Sequence, residues 1–126
     1  IRKDLNMRKG KIAAQAAHAS LGIFFNMMKE NPVITNEDGS HTFTLKVDNP
    51  FMYNWMMGHF RKIVLYVESE QELFDIHQKA QDAGLPCILI RDAGFTEFDG
   101  PTYTAVGIGP DDFNKINPIT KDLKPL

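Results

Sequence analysis

The sequence predicts an α/β layered domain with a largely parallel sheet. Two observations carry this expectation. Short, nearly continuous apolar runs (Lys62–Val67 KIVLYV, Pro86–Ile90 PCILI, Thr102–Ile108 TYTAVGI) have the character of buried strands. Between and around them lie longer segments with a three-to-four apolar spacing, which is the period of an amphipathic helix. Helices alternating with apolar strands pack as layers around one core.

Ile1 to Leu5 has the character of the tail of a strand, and Asn6 to Gly10 that of a polar, basic loop. Lys11 to about Lys29 is expected to be helical. It is alanine-rich, with Ile12, Ala16, Ala19, Ile23 and Met27 at helical spacing, and Asn31-Pro32 ends it. The turn signal Asn36-Glu37-Asp38-Gly39-Ser40 precedes the alternating HTFTLKV, which together predict a hairpin. Asp48-Asn49-Pro50 opens a short helix, because proline is tolerated in a first turn. Its apolar cluster, Phe51 to Met57, is expected to pack on the core. KIVLYV follows as a buried strand. Ser69 with Glu72 forms a capping box for a helix that runs to Ala83 and stops at Gly84. Leu73, Ile76, His77 and Ala80 share one stripe of it. The strands at 86–90 and 102–108 are joined by a short irregular link, which points to one antiparallel pairing. Asp111 and Asp112 suit the start of a last helix.

The chain of 126 residues is the size of one domain, 1–126, and long enough to bury a core. Its 43% hydrophobic and 24% charged residues are an ordinary globular mixture. A net charge of −2 means that any nucleic-acid role requires a local basic patch. No apolar run approaches the ~18 residues of a membrane span, and no membrane association is expected. The one cysteine, Cys87, sits in the apolar run CILI and reads as a small core residue in a reducing, cytoplasmic setting.

Two stretches offer chemistry. In GKIAAQAAHAS, Lys11 falls at a helix N-terminus, where the helix dipole disfavours a cation, and Arg8 and Lys9 stand just upstream. Lys11, Gln15, His18 and Gly22 share a narrow stripe. A solvent face would account for the stripe, but it carries a lysine, an amide, an imidazole and small residues, groups that make contacts. The second stretch is RDAGFTEFDGPTYT, residues 91–104. Asp92 lies just beyond the carboxyl end of a strand, where open α/β sheets bind ligands. Gly94 permits a tight turn, and Thr96, Thr102 and Thr104 supply hydroxyls. An Asx-turn with strand-forming threonines explains the same residues equally well. Other templates fail: there is no phosphate-binding GxxxxGK[ST], no GxSxG nucleophile elbow, and the four histidines lack metal-ligand spacing.

Five stretches in order, RKDLNMRKGKIAAQAAHAS, KIVLYVESEQEL, AGLPCILIRDAGFTEF, TAVGIGP and ITKDLK, closely resemble the archaeal and eukaryotic-type peptidyl-tRNA hydrolases. The resemblance implies a mixed four-stranded sheet flanked by helices, with residues 33–58 as an inserted hairpin and short helix. It implies a homodimer that hydrolyses the ester between a peptide and the 3′-terminal ribose of tRNA, with no metal or cofactor. Lys11, Asp92 and Thr96 map onto the family's proposed catalytic positions. Gln15, His18 and Thr104 match further motif positions, expected to bind substrate. Arg2, Lys3, Arg8 and Lys9 would supply a basic patch for the acceptor stem. Where the family usually has Asp-Ala-Gly-Arg-Thr-Gln, this chain has Phe95 and Glu97 around Thr96; the usual ITGHLK is ITKDLK. Phe95 in place of arginine would leave Lys11 as the main cation of an anion-seeking corner. Two alternatives stay open: a non-catalytic tRNA- or protein-binding regulator on the same scaffold, and a hydrolase of other small acylated substrates.

Overall fold

A computed structural model describes residues 1–126. Four helices and six short strands follow in the order α1 (Lys9–Lys29), β1 (Ile34–Thr35), β2 (His41–Thr42), α2 (Pro50–Met57), β3 (Leu65–Tyr66), α3 (Glu70–Asp82), β4 (Cys87–Asp92), β5 (Thr102–Ile108), α4 (Phe113–Thr120) and β6 (Lys124–Pro125). No helix is long and apolar enough to cross a membrane.

The mixed α/β class is as expected, but the strands pair antiparallel, two by two: β1 with β2, β3 with β6, β4 with β5. The expectation of a largely parallel sheet is therefore corrected, while the antiparallel pairing expected of the strands at 86–90 and 102–108 is observed as β4 with β5. The β4–β5 link contains no helix, and a parallel return needs a crossover of a dozen or more residues. One parallel bridge does occur, between Arg2 and Val67. Around it the backbone bonds run both ways: Lys3 N–H to Val67 O at 2.8 Å, Val67 N–H to Ile1 O at 2.9 Å, and Arg2 N–H to Thr104 O at 2.9 Å.

Several sequence expectations shift. KIVLYV is a strand only at Leu65–Tyr66, and Ile63 is 65% exposed. Its assigned partner β6 is just two residues long, so an apolar run here does not imply burial along its whole length. In HTFTLKV, pairing stops after Thr42; Leu45 and Val47 are half-buried as the alternation requires, but Phe43 is exposed. The aromatic cluster of α2 is only partly internal. Met52 is buried and Trp55 stacks on Phe24 of α1 with ring centroids 5.9 Å apart, whereas Phe51, Tyr53 and Met57 are exposed.

The packing that positions the site lies between α1 and the β4–β5 pair. Ala19 and Ile23 of α1 are buried with Ala105 of β5. A side chain at Gly107 would meet the Ala19 carbonyl at 2.9 Å, so this close approach requires glycine. The other face of the pair meets α3, where Phe74 packs edge-on against Tyr103 at 5.2 Å. Alternate residues of a strand point to opposite faces. That alternation is interrupted once. Ile90 pairs with Ala105 but Arg91 pairs with Tyr103, leaving Thr104 as an extra, bulged residue. The bulge lets Thr104 reach the α1 side beside Ala105.

Candidate active site

Asp92 ends β4 on the strand face that also carries Ile88 and Ile90. Lys11 and Gln15, one helical turn apart on α1, come down on it. Lys11 Nζ lies 2.7 Å from Asp92 Oδ1 and donates a second hydrogen bond, also 2.7 Å, to Thr96 Oγ1. Gln15 Nε2 donates to the same Asp92 oxygen at 3.2 Å. The other oxygen, Oδ2, accepts the Gly94 N–H at 2.9 Å. Behind this group, Thr104 Oγ1 donates to Gln15 Oε1. Gln15 and Thr104 are completely buried, while the Lys11 and Asp92 side chains keep 13% and 11% exposure. The result is a buried polar backing behind a charged pair that keeps partial access to solvent.

The Lys11 ammonium, by its hydrogen bond, holds the Asp92 carboxyl below the usual carboxylate range; the Gly94 N–H and Gln15 act in the same direction, and burial opposes them. The aspartate is therefore anionic at neutral pH. Gly94, at φ +84°, makes the turn that aims its N–H at Asp92. A Cβ there would collide with the Gly100 backbone, so glycine is required for both reasons.

Of the residues singled out from sequence, Lys11, Gln15, Asp92, Thr96 and Thr104 come together. His18 does not. It is exposed, further along α1, at the border of an apolar groove with Leu21, Phe25, Ile88 and Ile90. The stripe Lys11–Gln15–His18–Gly22 is thus split: its first turn faces Asp92, and the helix then carries the rest back along β4, toward Ile90 and Ile88. The basic patch is also divided. Arg2 is held by Asp4 at 2.7 Å and lies 3.6 Å from Glu70, and Lys3 sits over the Tyr66 ring. Arg8 and Lys9 are exposed. Cys87 is half-buried, and burial pushes its thiol pKa up.

One contributor, Phe98, and one contact, that made by Glu97, escape sequence reasoning. Phe98 places its ring 5.5 Å from Lys11 Nζ. Glu97 accepts the Arg8 backbone N–H at 3.1 Å. The signal for the second was present: α1 has no acid in its first turn and no side-chain cap from Arg8, so its N-terminus had to find an acceptor elsewhere. Within the chain, Lys11 is paired with Asp92, and Glu97 accepts one N–H of the helix end.

Fold and site together define a mixed α/β protein with a lysine–carboxylate–hydroxyl cluster at the carboxyl end of a strand. The family model "Peptidyl-tRNA hydrolase PTH2" matches residues 1–126. A peptidyl-tRNA hydrolase of Methanococcus maripaludis (strain C6) is 44% identical over 126 residues, covering all of this chain and 94% of that protein. Those of Methanocaldococcus jannaschii and Methanothermobacter thermautotrophicus are 41% and 40% identical over the whole chain and 95% of their own lengths. The chain belongs to the peptidyl-tRNA hydrolase PTH2 family.

Proposed function

We infer that Lys11, Asp92 and Thr96 are the centre at which this chain, a peptidyl-tRNA hydrolase, cleaves the ester joining a peptide to the terminal ribose of tRNA. The observation that carries the assignment is the Lys11 ammonium shared between Asp92 and Thr96, both at 2.7 Å, at the mouth of an otherwise buried polar chain. A water oxygen bonds to the ester carbonyl carbon, and the π pair of the C=O bond shifts to the carbonyl oxygen. Lysine carries three N–H donors; two are engaged in the cluster, and the third meets that oxyanion. Asp92, held anionic, is a weak base. Its work is to aim Lys11 and orient the water, while Thr96 hydrogen-bonds the incoming oxygen. Collapse of the intermediate expels the ribose oxygen, which takes up the proton lost by the water. The products are a peptide carboxylic acid and tRNA with its terminal hydroxyl restored.

Thr104 and Gln15 fix the orientation of Asp92 from behind. Arg8 and Lys9 meet acceptor-stem phosphates, and His18 is a further contact to the substrate. The mixed four-stranded sheet belongs to this reading too, with Ile1–Lys3 bridging Val67 and Thr104 as the joining strand; the bonds of Lys3 and Arg2 support it. So does the pairing of two copies, for which the exposed Leu21 and Phe25 on α1 provide apolar surface, and action in the cytoplasm, where translation supplies the substrate. Residues 33–58 are read as an insertion at the edge of that scaffold.

Release of free tRNA from N-blocked aminoacyl-tRNA tests the assignment. Lys11→Ala is expected to lower kcat by about 10²–10³, the usual cost of removing an oxyanion donor, with Asp92→Ala comparable. Robust turnover in both variants would sink the site; an inert wild type would sink the reaction and favour the non-catalytic binder.

A further inference from the structure

The loop 93–101 carries Thr96 to Lys11 without a helix or strand of its own. Its neighbours differ sharply. Phe95 is 93% exposed, whereas Glu97 is turned inward, its side chain 20% exposed. Glu97 Oε2 accepts the Arg8 backbone N–H at 3.1 Å, and Oε1 lies 3.8 Å from Arg8 Nε. The Arg8 side chain is itself 90% exposed, so the backbone bond to the helix end is the stronger contact. Thr96 and Glu97, adjacent in sequence, therefore grip α1 at two points, the Lys11 ammonium and the N-terminal amide. No residue of α1's first turn competes for that amide.

We propose that Glu97 is a positioning and affinity-setting residue: its carboxylate, seated on the N-terminus of α1, holds Thr96 against Lys11 and occupies the place at which the helix end would attract a substrate phosphate. This rests on the catalytic reading of Lys11 and Thr96. The two duties reside in different properties of the side chain. Positioning needs a hydrogen-bond acceptor; repelling phosphate needs a negative charge. Glutamine keeps the first and removes the second, and alanine removes both.

The experiment compares wild type, Glu97→Gln and Glu97→Ala, each checked for folding by thermal melting. Loss of a charge-assisted bond implies that Glu97→Ala lowers kcat by about tenfold or more. Glu97→Gln is expected to rescue kcat to within about threefold of wild type. It should also lower KM for the tRNA substrate at low salt, with the gap closing as salt rises. Backbone hydrogen exchange gives a readout that does not need turnover. The Arg8 amide is expected to exchange about tenfold or more faster in Glu97→Ala, and to stay protected in Glu97→Gln. An Arg8 amide indifferent to Glu97→Ala, a wild-type kcat in that variant, or no rescue by glutamine would overturn the proposal. An unchanged KM in Glu97→Gln would overturn its affinity-setting half. If wild type itself does not turn over, the catalytic reading fails, and the exchange data alone decide whether Glu97 holds the loop.

Discussion

Asp92 receives hydrogen bonds from three groups: Lys11 and Gln15 on one oxygen, the Gly94 amide on the other. All three favour the carboxylate over the acid, which is why its pKa is depressed. The depression has a thermodynamic consequence. A carboxyl that binds its proton less readily folded than unfolded adds stability above the unfolded value of about 3.9, and that stability is lost as pH falls through the folded value. Asp92→Asn cannot titrate and leaves Lys11 without its counter-charge. Wild type is expected to exceed Asp92→Asn in unfolding free energy by about 1–3 kcal/mol at pH 7. The excess should stay flat down to about pH 5 and shrink below pH 4. Urea denaturation of both proteins across pH 2–7 checks this, and an excess that grows on acidification would contradict it. At this scale the two key residues were legible one by one, as a lysine at a disfavoured helix end and an aspartate at a strand end. Their pairing was not, because 81 positions separate them and only the family's motif order links them.

The helices solve the same end problem in two ways. In α3, Ser69 Oγ accepts the Glu72 N–H at 3.1 Å, and Glu72 reaches back to the Glu68 N–H at 2.9 Å. The cap is local and visible in the sequence. In α1 the cap is tertiary, supplied by Glu97. The site loop is likewise held by one backbone device, Gly94 at φ +84°. Substitutions at these two places should separate stability from activity. Ser69→Ala is expected to cost about 1 kcal/mol with kcat unchanged, since α3 supplies no site residue. Gly94→Ala forces alanine into a left-handed turn against the Gly100 backbone. It is expected to cost about 1–3 kcal/mol and to lower kcat in the remaining folded protein, because the amide that orients Asp92 moves. Denaturant midpoints and kcat, measured side by side, check both; equal kcat in the two variants would show that the Gly94 turn does not orient the site. The sequence reading succeeded where periodicity and caps are local, as in α1, α3 and the Asp112 cap of α4, whose Oδ1 accepts the Asn114 N–H. It failed where an element depends on distant partners. β6 pairs with β3 although Lys124-Pro125 has no strand character, and the Thr104 bulge follows from the register of β4, which a single strand's pattern does not reveal.

For the whole molecule the difficulty is binding a polyanion with a chain of net charge −2. Long-range attraction is absent, so phosphate contacts must be local. Four basic residues near the N-terminus suggested such a patch. Arg2 is engaged by Asp4, Glu70 and the Tyr103 carbonyl. Its role is to tie the chain's start to α3 and β5. Lys3 lies over Tyr66. Arg8 and Lys9 remain exposed, at the end of α1 that also presents Lys11. Each phosphate contact releases counterions, giving a salt slope of about 0.7–0.9 per contact. Replacing Arg8 and Lys9 together by alanine is expected to raise KM for the tRNA substrate at low salt and reduce the slope of log KM against log salt by about 1.5. kcat should be nearly unchanged, because neither side chain bonds the Lys11–Asp92–Thr96 cluster. Arg2→Ala should do the reverse, leaving the slope alone and lowering the melting temperature. KM titrations from 50 to 300 mM salt, with melting curves, distinguish the two. A slope untouched by the Arg8 and Lys9 replacement would place the acceptor stem on another face. A slope reduced by Arg2→Ala would mean that its carboxylate partners release it when RNA binds.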